Sequence, residues 1–505
     1  MKNFLIILGF LFGSPFFLFS QQEPFSGFDG YVEQNMKAWK IPGLAVGVIK
    51  DGKIIFAKGY GVLEEGKPEK VNEHSIFAIA SNSKAFTGTL MALLEQEKKI
   101  SLSDPVVKYL PDFLISDTSL TPLITITDLL THRIGYKTFD GDFTMWATNY
   151  TSEQLTHKLR YVPLSYPFRS HWGYFNMGYV VCGEVIKKVT GSDWHSMVRT
   201  RILDPLGMHR TFSKVSELEK ISNVAKPHTY NPEHKVIPIP YKILDEIGPC
   251  GSLNSSVSDV CKWLAFQMDT AQKIIPRTVL RKTYVPQTIA GQFVPFGRNS
   301  AGNAHFSLYG LGWFIQDFRG RVLIQHSGGA DGMLSKSGFL PEENLGIVVL
   351  TNYDNQNFYD ALFSTLIEAY LGNGKTDYSD PQLERFKKAE EKEKQAYKNQ
   401  IAGLPANATV PTHLKTAMIG KYKHPHYGSA EIKLSGKDLI LTLEGHPGAT
   451  GKLVYLGKGS CLVTFSDPTL RWSEMPITVE NNKCVSFSLD VPDFVDTMIY
   501  TFTRD

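Results

Sequence analysis

Cysteine is scarce in this chain: five in 505 residues, at Cys182, Cys250, Cys261, Cys461 and Cys484. A sparse, odd set excludes a disulfide scaffold. Cys461 and Cys484 are candidates for one pair in the C-terminal region, and the other three read as small core residues. No H-E-x-x-H or C-x-x-C occurs, so no metal site and no cofactor is expected. No G-x-S-x-G occurs either, which argues against an α/β-hydrolase. Gly374-Lys375-Thr376 is not a phosphate loop, because Ala369 stands where the first glycine is required. The formal net charge of +3 is too small to argue for nucleic acid or a membrane surface as partner.

Long apolar runs are also missing after the start of the chain. Residues 1–20 carry Lys2, an apolar stretch from Phe4 to Phe19 and the small Ser20, the pattern of a secretory signal. An uncleaved anchor is the alternative. No later run approaches the ~20 apolar residues of a membrane span. The expectation is an exported protein, periplasmic or secreted, with no membrane span once the signal is removed. Its oligomeric state is left open.

What is present is a large, ordinary globular composition, 42% hydrophobic and 20% charged. Phe28 to Trp39 reads as a helix, and Leu44–Lys50 with Lys53–Lys58 as a hairpin around Asp51-Gly52. Helical runs dominate 81–299, among them Ile126–Thr131, Met177–Val189, Trp194–Leu203 and Val257–Met268. Strand signals return at 312–318, 321–325, 335–340 and 346–351, followed by a helix at Phe358–Tyr370. Strands at both ends of a helical stretch imply one antiparallel sheet completed by distant segments. The fold class is therefore α+β, with a sheet region at 21–80 and 300–373 and a mainly helical region at 81–299. Residues 374–411 form a charged connector, read as an exposed helix over Leu383–Asn399, and then a linker. From 412 to 505, six short strands separated by turns read as a small all-β barrel or sandwich, the barrel being the reading taken here. A linker of that composition predicts few contacts across it and a separable barrel.

The most informative segment is Ser81-Asn82-Ser83-Lys84, where an apolar approach (Ile76–Ala80) turns into a helix-like run (Ala85–Gln96). A serine and a lysine three residues apart at a helix start share a face, near unpaired N–H groups. That supplies a hydroxyl, an amine and part of an oxyanion site, the needs of a serine nucleophile. S-x-x-K is the nucleophile motif of β-lactamases and penicillin-binding proteins. The bland alternative is an N-cap serine and a solvated lysine. Ser81/Lys84 is the one S-x-x-K match in the chain. Tyr174-Phe175-Asn176 precedes the helix at Met177, and His326-Ser327-Gly328-Gly329 follows a strand signal. Tyr-x-Asn also occurs at Tyr353-Asp354-Asn355 and Tyr397-Lys398-Asn399, and His-x-Gly at His446-Pro447-Gly448. Only chain order and local setting select one of each.

With Phe77–Lys84, Ile126–His132, Pro205-Leu206-Gly207-Met208 and Tyr309-Gly310-Leu311-Gly312-Trp313, these segments resemble the penicillin-recognising serine hydrolases. That superfamily includes class C β-lactamases, D-alanyl-D-alanine carboxypeptidases, D-aminopeptidases and related esterases. The C-terminal region resembles the lipocalin-like domain appended to bacterial members. The resemblance implies Ser81 as acylated nucleophile and Tyr174 as general base in acylation and general acid to the leaving group, with Lys84 between them holding the tyrosine's pKa down or shuttling the proton. It implies Asn176 bonded to Lys84 or to a substrate amide, and His326 and Gly328 lining the facing strand. The N–H groups of Ser81 and Gly329 would form the oxyanion hole. The chain departs from β-lactamases of this type at the third motif, where Lys-Thr-Gly is replaced by His326-Ser327-Gly328. A histidine there disfavours β-lactams and favours a peptidase or esterase. If His326 met a substrate carboxylate, its protonation would tighten binding as pH falls toward 6. His132 is read as structural, and Tyr309 and Trp313 as core or cleft wall. The expected activity is hydrolysis of an amide or ester, with a small-molecule or peptide substrate, cell-wall-derived peptides included. A catalytically weak penicillin-binding or ligand-sensing protein using the same cleft is the alternative.

Overall fold

The Asp51-Gly52 turn has φ of 50° and 76°, the left-handed pair that matches strand twist in a tight hairpin. It joins Gly43–Lys50 to Lys53–Gly61, which form one edge of the main sheet. The computed structural model describes residues 23–268, 275–290, 302, 304–402, 404, 408–492 and 496–505. The signal-like segment 1–20 lies outside them. Among the described residues no helix is long and apolar enough to cross a membrane.

Eight strands form one antiparallel sheet. Its order is Lys53–Gly61, Gly43–Lys50, Leu345–Thr351, Met333–Leu340, Arg321–Ala330, Phe314–Phe318, Ser307–Tyr309 and Thr288–Ile289. Strands from both ends of the chain segment 28–370, Gly43–Lys50 and Leu345–Thr351, thus pair as neighbours near one edge of the sheet. Gly43–Lys50 is buried on both faces, which explains its unbroken apolar sequence. Leu44, Val46 and Val48 pack with Phe28 and Phe358, from the helices Phe28–Ala38 and Phe358–Tyr370. Ala45 and Ile49 point the other way, toward Val257 and Leu264 of Val257–Gln267. The helical region stacks on that second face.

The C-terminal segment closes into an eight-stranded barrel running from Gly420–His424 to Tyr500–Arg504. Two of its strands gave no strand signal. Gly420–His424 alternates exposed lysines with a buried tyrosine, and Trp472–Glu480 contains Pro476, a residue that argues against a paired strand. All five cysteines are free and buried, so the Cys461–Cys484 pair is absent.

The connector is the expected helix, exposed over most of its surface but docked along one face. Ser379–Ile401 buries Ser379, Leu383 and Glu390. The indole N–H of Trp39 donates to Ser379 Oγ at 2.8 Å, and Lys40 pairs with Glu390 at 2.5 Å. The barrel is equally engaged. Phe143, from the short helix Asp142–Met145, is fully buried inside the barrel's own core. Its ring stacks on His446 at 4.5 Å and on Tyr427 at 5.1 Å. Its N–H donates to Asp496 at 2.8 Å, and Tyr150 donates to the Tyr427 carbonyl at 2.8 Å. A separable barrel does not fit these contacts. Truncating a plug of this kind removes contacts on both sides of the boundary. Phe143→Ala should lower stability by about 3–5 kcal/mol in denaturant unfolding. An unchanged midpoint would show that the barrel docks without the plug.

Candidate active site

The approach to Ser81 is bent rather than extended. Phe77–Ala78 pairs briefly with Asn254–Ser255, and Ala80–Asn82 then forms a single tight turn before the helix Ser83–Gln96. Ala80 has φ of 46°, a left-handed conformation costly for a non-glycine residue and held by its surroundings. The holders are hydrogen bonds. Ser83 Oγ donates to Ala80 O at 2.7 Å and accepts from Leu253 N at 3.1 Å. The Asn82 amide donates to Ile79 O and Ser335 Oγ, while its oxygen accepts from Ser337 at 2.6 Å. A Cβ on Gly328 would lie 2.1 Å from Ile79 O, so only glycine lets the strand Arg321–Ala330 press against this turn. Gly312 does the same from the other side: a Cβ there would meet Lys84 O at 2.4 Å.

Lys84 is fully buried. Its Nζ donates to Ser81 Oγ at 3.0 Å and to Cys250 O at 2.8 Å. Burial lowers its pKa to about 8, partly offset by nearby Asp142. Nζ also lies 4.8 Å from the centre of the Tyr174 ring. The Tyr174 hydroxyl bonds to the Ser81 side chain, yet burial pushes its pKa well above 10. Lys84 therefore does not hold Tyr174 as a phenolate. Of the two, the lysine has the pKa of a usable base.

Tyr174 is set by its neighbours. Its N–H donates to Thr138 Oγ1 at 3.2 Å, and the His132 ring packs 4.5 Å away. Phe175 N donates to His132 Nδ1 at 3.0 Å, and burial together with Lys84 keeps that ring neutral. Asn176 does not meet Lys84, the first of the two partners expected for it, and it lines the cleft where a substrate amide would lie. Its amide donates to Asp142, not to Lys84. Asp142 had no sequence motif to announce it.

His326 differs more. Tyr309 donates its hydroxyl proton to Nε2 at 3.0 Å, and Nδ1–H donates to Ser327 O at 2.6 Å. Both ring nitrogens are committed within the protein. Burial and Lys84 push the pKa down to about 3. The ring stays neutral at pH 6, so the expected tightening toward that pH has no basis here.

These residues surround a cleft of about 410 Å³. Ser81, Tyr174, Asn176, His326 and Gly329 line it, with Phe139, Trp146, Trp172 and Phe314 as aromatic walls. Gly328 is not on its surface and serves the close approach described above. Asp354 lines the cleft as well, within a Tyr-x-Asn match set aside on sequence grounds. The barrel adds Thr469 and Arg471. Among the described residues no cluster of potential metal ligands occurs.

The family model described as Beta-lactamase matches residues 28–370. The chain belongs to the beta-lactamase family. Membership makes it a serine hydrolase in general class. It is 27% identical over 449 residues to Unguisins hydrolase ungD of Aspergillus violaceofuscus, covering 81% of this chain and 77% of that protein. Its fold is similar to that of the octameric penicillin-binding protein homologue from Pyrococcus abyssi, with TM-score 0.61 and 23% identity over 94% of this chain and 99% of that one. It is also similar to a D-stereospecific amidohydrolase from Streptomyces sp., with TM-score 0.55 and 20% identity over 68% of this chain and 98% of that one. At these identities the structural likeness speaks to fold. In this beta-lactamase-family chain, the ring signals of His326 should show no inflection between pH 5 and 8 by NMR. A midpoint near 6.5 would mean that its two hydrogen bonds do not hold.

Proposed function

We propose that the chain is an exported serine hydrolase that cleaves a small ester or amide, with D-amino-acid peptides as the leading substrate class, through an acyl-enzyme on Ser81. The observation that carries this reading is the fully buried Lys84 amine, 3.0 Å from Ser81 Oγ at the wall of an aromatic-lined cleft. With a pKa of about 8, roughly a tenth of Lys84 is neutral at pH 7. The neutral amine takes the Ser81 proton as Oγ attacks the acyl carbon. The N–H groups of Ser81 and Gly329 are the candidates to hold the oxyanion. The leaving nitrogen or oxygen takes its proton from the Tyr174 hydroxyl, which Lys84 then reprotonates. A phenol that stays neutral suits this donor role. Water then reverses the sequence to release the acid.

Three further points favour a peptidase or esterase. The committed His326 ring offers no cation for a β-lactam carboxylate. The relatives include one named for hydrolysing unguisins, and the structural neighbours include a D-stereospecific amidohydrolase. The signal-like segment 1–20 adds export. A fluorophosphonate should place one label on the peptide containing Ser81, and Ser81→Ala should lose it. Lys84→Ala and Tyr174→Phe should each slow labelling by roughly 10²–10⁴-fold. A label on another serine, or full activity in Ser81→Ala, would leave the cleft as a binding site only.

A further inference from the structure

We propose that a second cavity, where the connector helix meets the barrel, binds one neutral sugar ring, stacked on Trp472 and Tyr397 and held at its edge by the Glu393–Arg471 pair. The site is separate from the cleft at Ser81 and does not rest on the serine-hydrolase reading.

Three distant parts of the chain build this cavity of about 140 Å³. Tyr230 comes from the hairpin of His228–Tyr230 and Val236–Pro238, Glu393 and Tyr397 from the helix Ser379–Ile401, and Arg471 and Trp472 from the barrel. At about 30 Å³ per water, that is room for roughly five waters, enough for one small ring and not for a chain. Binding sites are mostly apolar walls with a few polar groups that fix orientation, and this cavity has that division. The Tyr397 and Trp472 rings meet at 45° with centres 5.5 Å apart, forming an apolar corner. Both are only half-buried, so each keeps ring surface for a ligand.

The polar end of the cavity decides the charge of the ligand. Arg471 pairs with Glu393 at 3.0 Å, and the Tyr230 hydroxyl donates to the same carboxylate at 3.0 Å. The guanidinium also lies over the Tyr230 ring, 4.6 Å from its centre. Among the described residues, Glu393 and Arg471 are the two charged side chains on the cavity wall. His234, buried against Tyr230, has its pKa lowered by burial, so its ring is neutral at pH 7. The wall charge therefore sums to zero. A cation would meet the guanidinium and an anion the carboxylate, each beside a group of its own sign. The two side chains remain 35% and 32% exposed, for Glu393 and Arg471, so both have room for a further hydrogen bond. A carboxylate only accepts and a guanidinium only donates, so the ligand groups that face them must do both, as hydroxyls do. An aromatic ring would fill the corner but cover the ion pair without bonding to it, at a desolvation cost. C–H faces for the aromatic corner and a rim of hydroxyls for the ion pair describe a pyranose.

The test is calorimetric titration of the full chain with the methyl pyranosides of glucose, mannose and galactose. Two charged analogues of the same ring, methyl β-D-glucuronide and methyl β-D-glucosaminide, complete the set. At least one neutral pyranoside should bind, and at least about tenfold more tightly than either charged analogue, because like charges brought together are penalised. Trp472→Ala and Tyr397→Ala should each weaken that binding by about tenfold or more, through lost apolar contact. Tyr397 lies on the connector helix, so its variant keeps the test decisive where Trp472→Ala unsettles the barrel strand. Blocking Ser81 with a fluorophosphonate should leave the affinity unchanged. No binding of any neutral pyranoside overturns the inference, as does tighter binding of a charged analogue or unchanged affinity in Tyr397→Ala. Affinity lost on blocking Ser81 would place the ring in the catalytic cleft and overturn it too. None of these outcomes bears on whether Ser81 is acylated, so the two readings fail separately.

Discussion

A lysine ammonium with no exposed surface is held 3.0 Å from a serine hydroxyl, and the rest of the structure is organised around that cost. Burying a charge is expensive unless it is paired or neutralised. Here the nearest compensation is one carbonyl, Cys250 O, and the Ser81 oxygen itself. The result is a pKa drawn down to about 8, the range in which an amine is both available and basic. The close packing around the Ser81 turn is what keeps the lysine buried. Gly312 and Gly328 bring backbone against the Ser81 turn from two sides, and Asn82 ties the turn to the sheet. The neutral rings of His132 and His326 surround the lysine without adding charge.

The barrel belongs to this arrangement. Phe143 is inserted into the barrel core, and its chain neighbour Asp142 lies on the cleft. Two consecutive residues therefore join the barrel's packing to the catalytic wall. His446 reaches the carbonyl of Trp146 at 2.9 Å, and the Trp146 indole donates to Asp331 at 2.9 Å. Thr469 and Arg471 complete the cleft from the barrel side. The docked helix Ser379–Ile401 fixes the connection, with Glu393 meeting Arg471 at 3.0 Å and Tyr230 at 3.0 Å.

Sequence reading reached what is local. The Ser81/Lys84 spacing, the Asp51-Gly52 hairpin and the helix Phe358–Tyr370 are written in contiguous residues, and all three have the expected form. The sheet could be anticipated because strands at both ends of the domain had no partner nearby in sequence. What was missed depends on contacts between distant segments. Asp142 matters because the fold brings Asn176 to it, and Asn82 because Ser335 and Ser337 reach it. The motif of His326 suggests an ordinary imidazole, since nothing in it shows Tyr309 bonded to the ring or the depth of its burial. The connector looked solvated because its charge pattern hides three residues on one docked face. The strand Trp472–Glu480 was hidden by Pro476, which the barrel accommodates opposite Ser460.

The claim at the centre is that burial turns Lys84 into the base for Ser81. The most direct measurement is the second-order rate constant for fluorophosphonate acylation of Ser81 as a function of pH, because the reagent itself does not titrate. Below the lysine pKa the amine is protonated and cannot accept, so the rate should rise with pH through one ionisation near 8 and level off above it. The same limb should vanish in Lys84→Met. A rate that is flat from pH 6 to 10, or that rises through an inflection near 6.5 and survives in Lys84→Met, would contradict it.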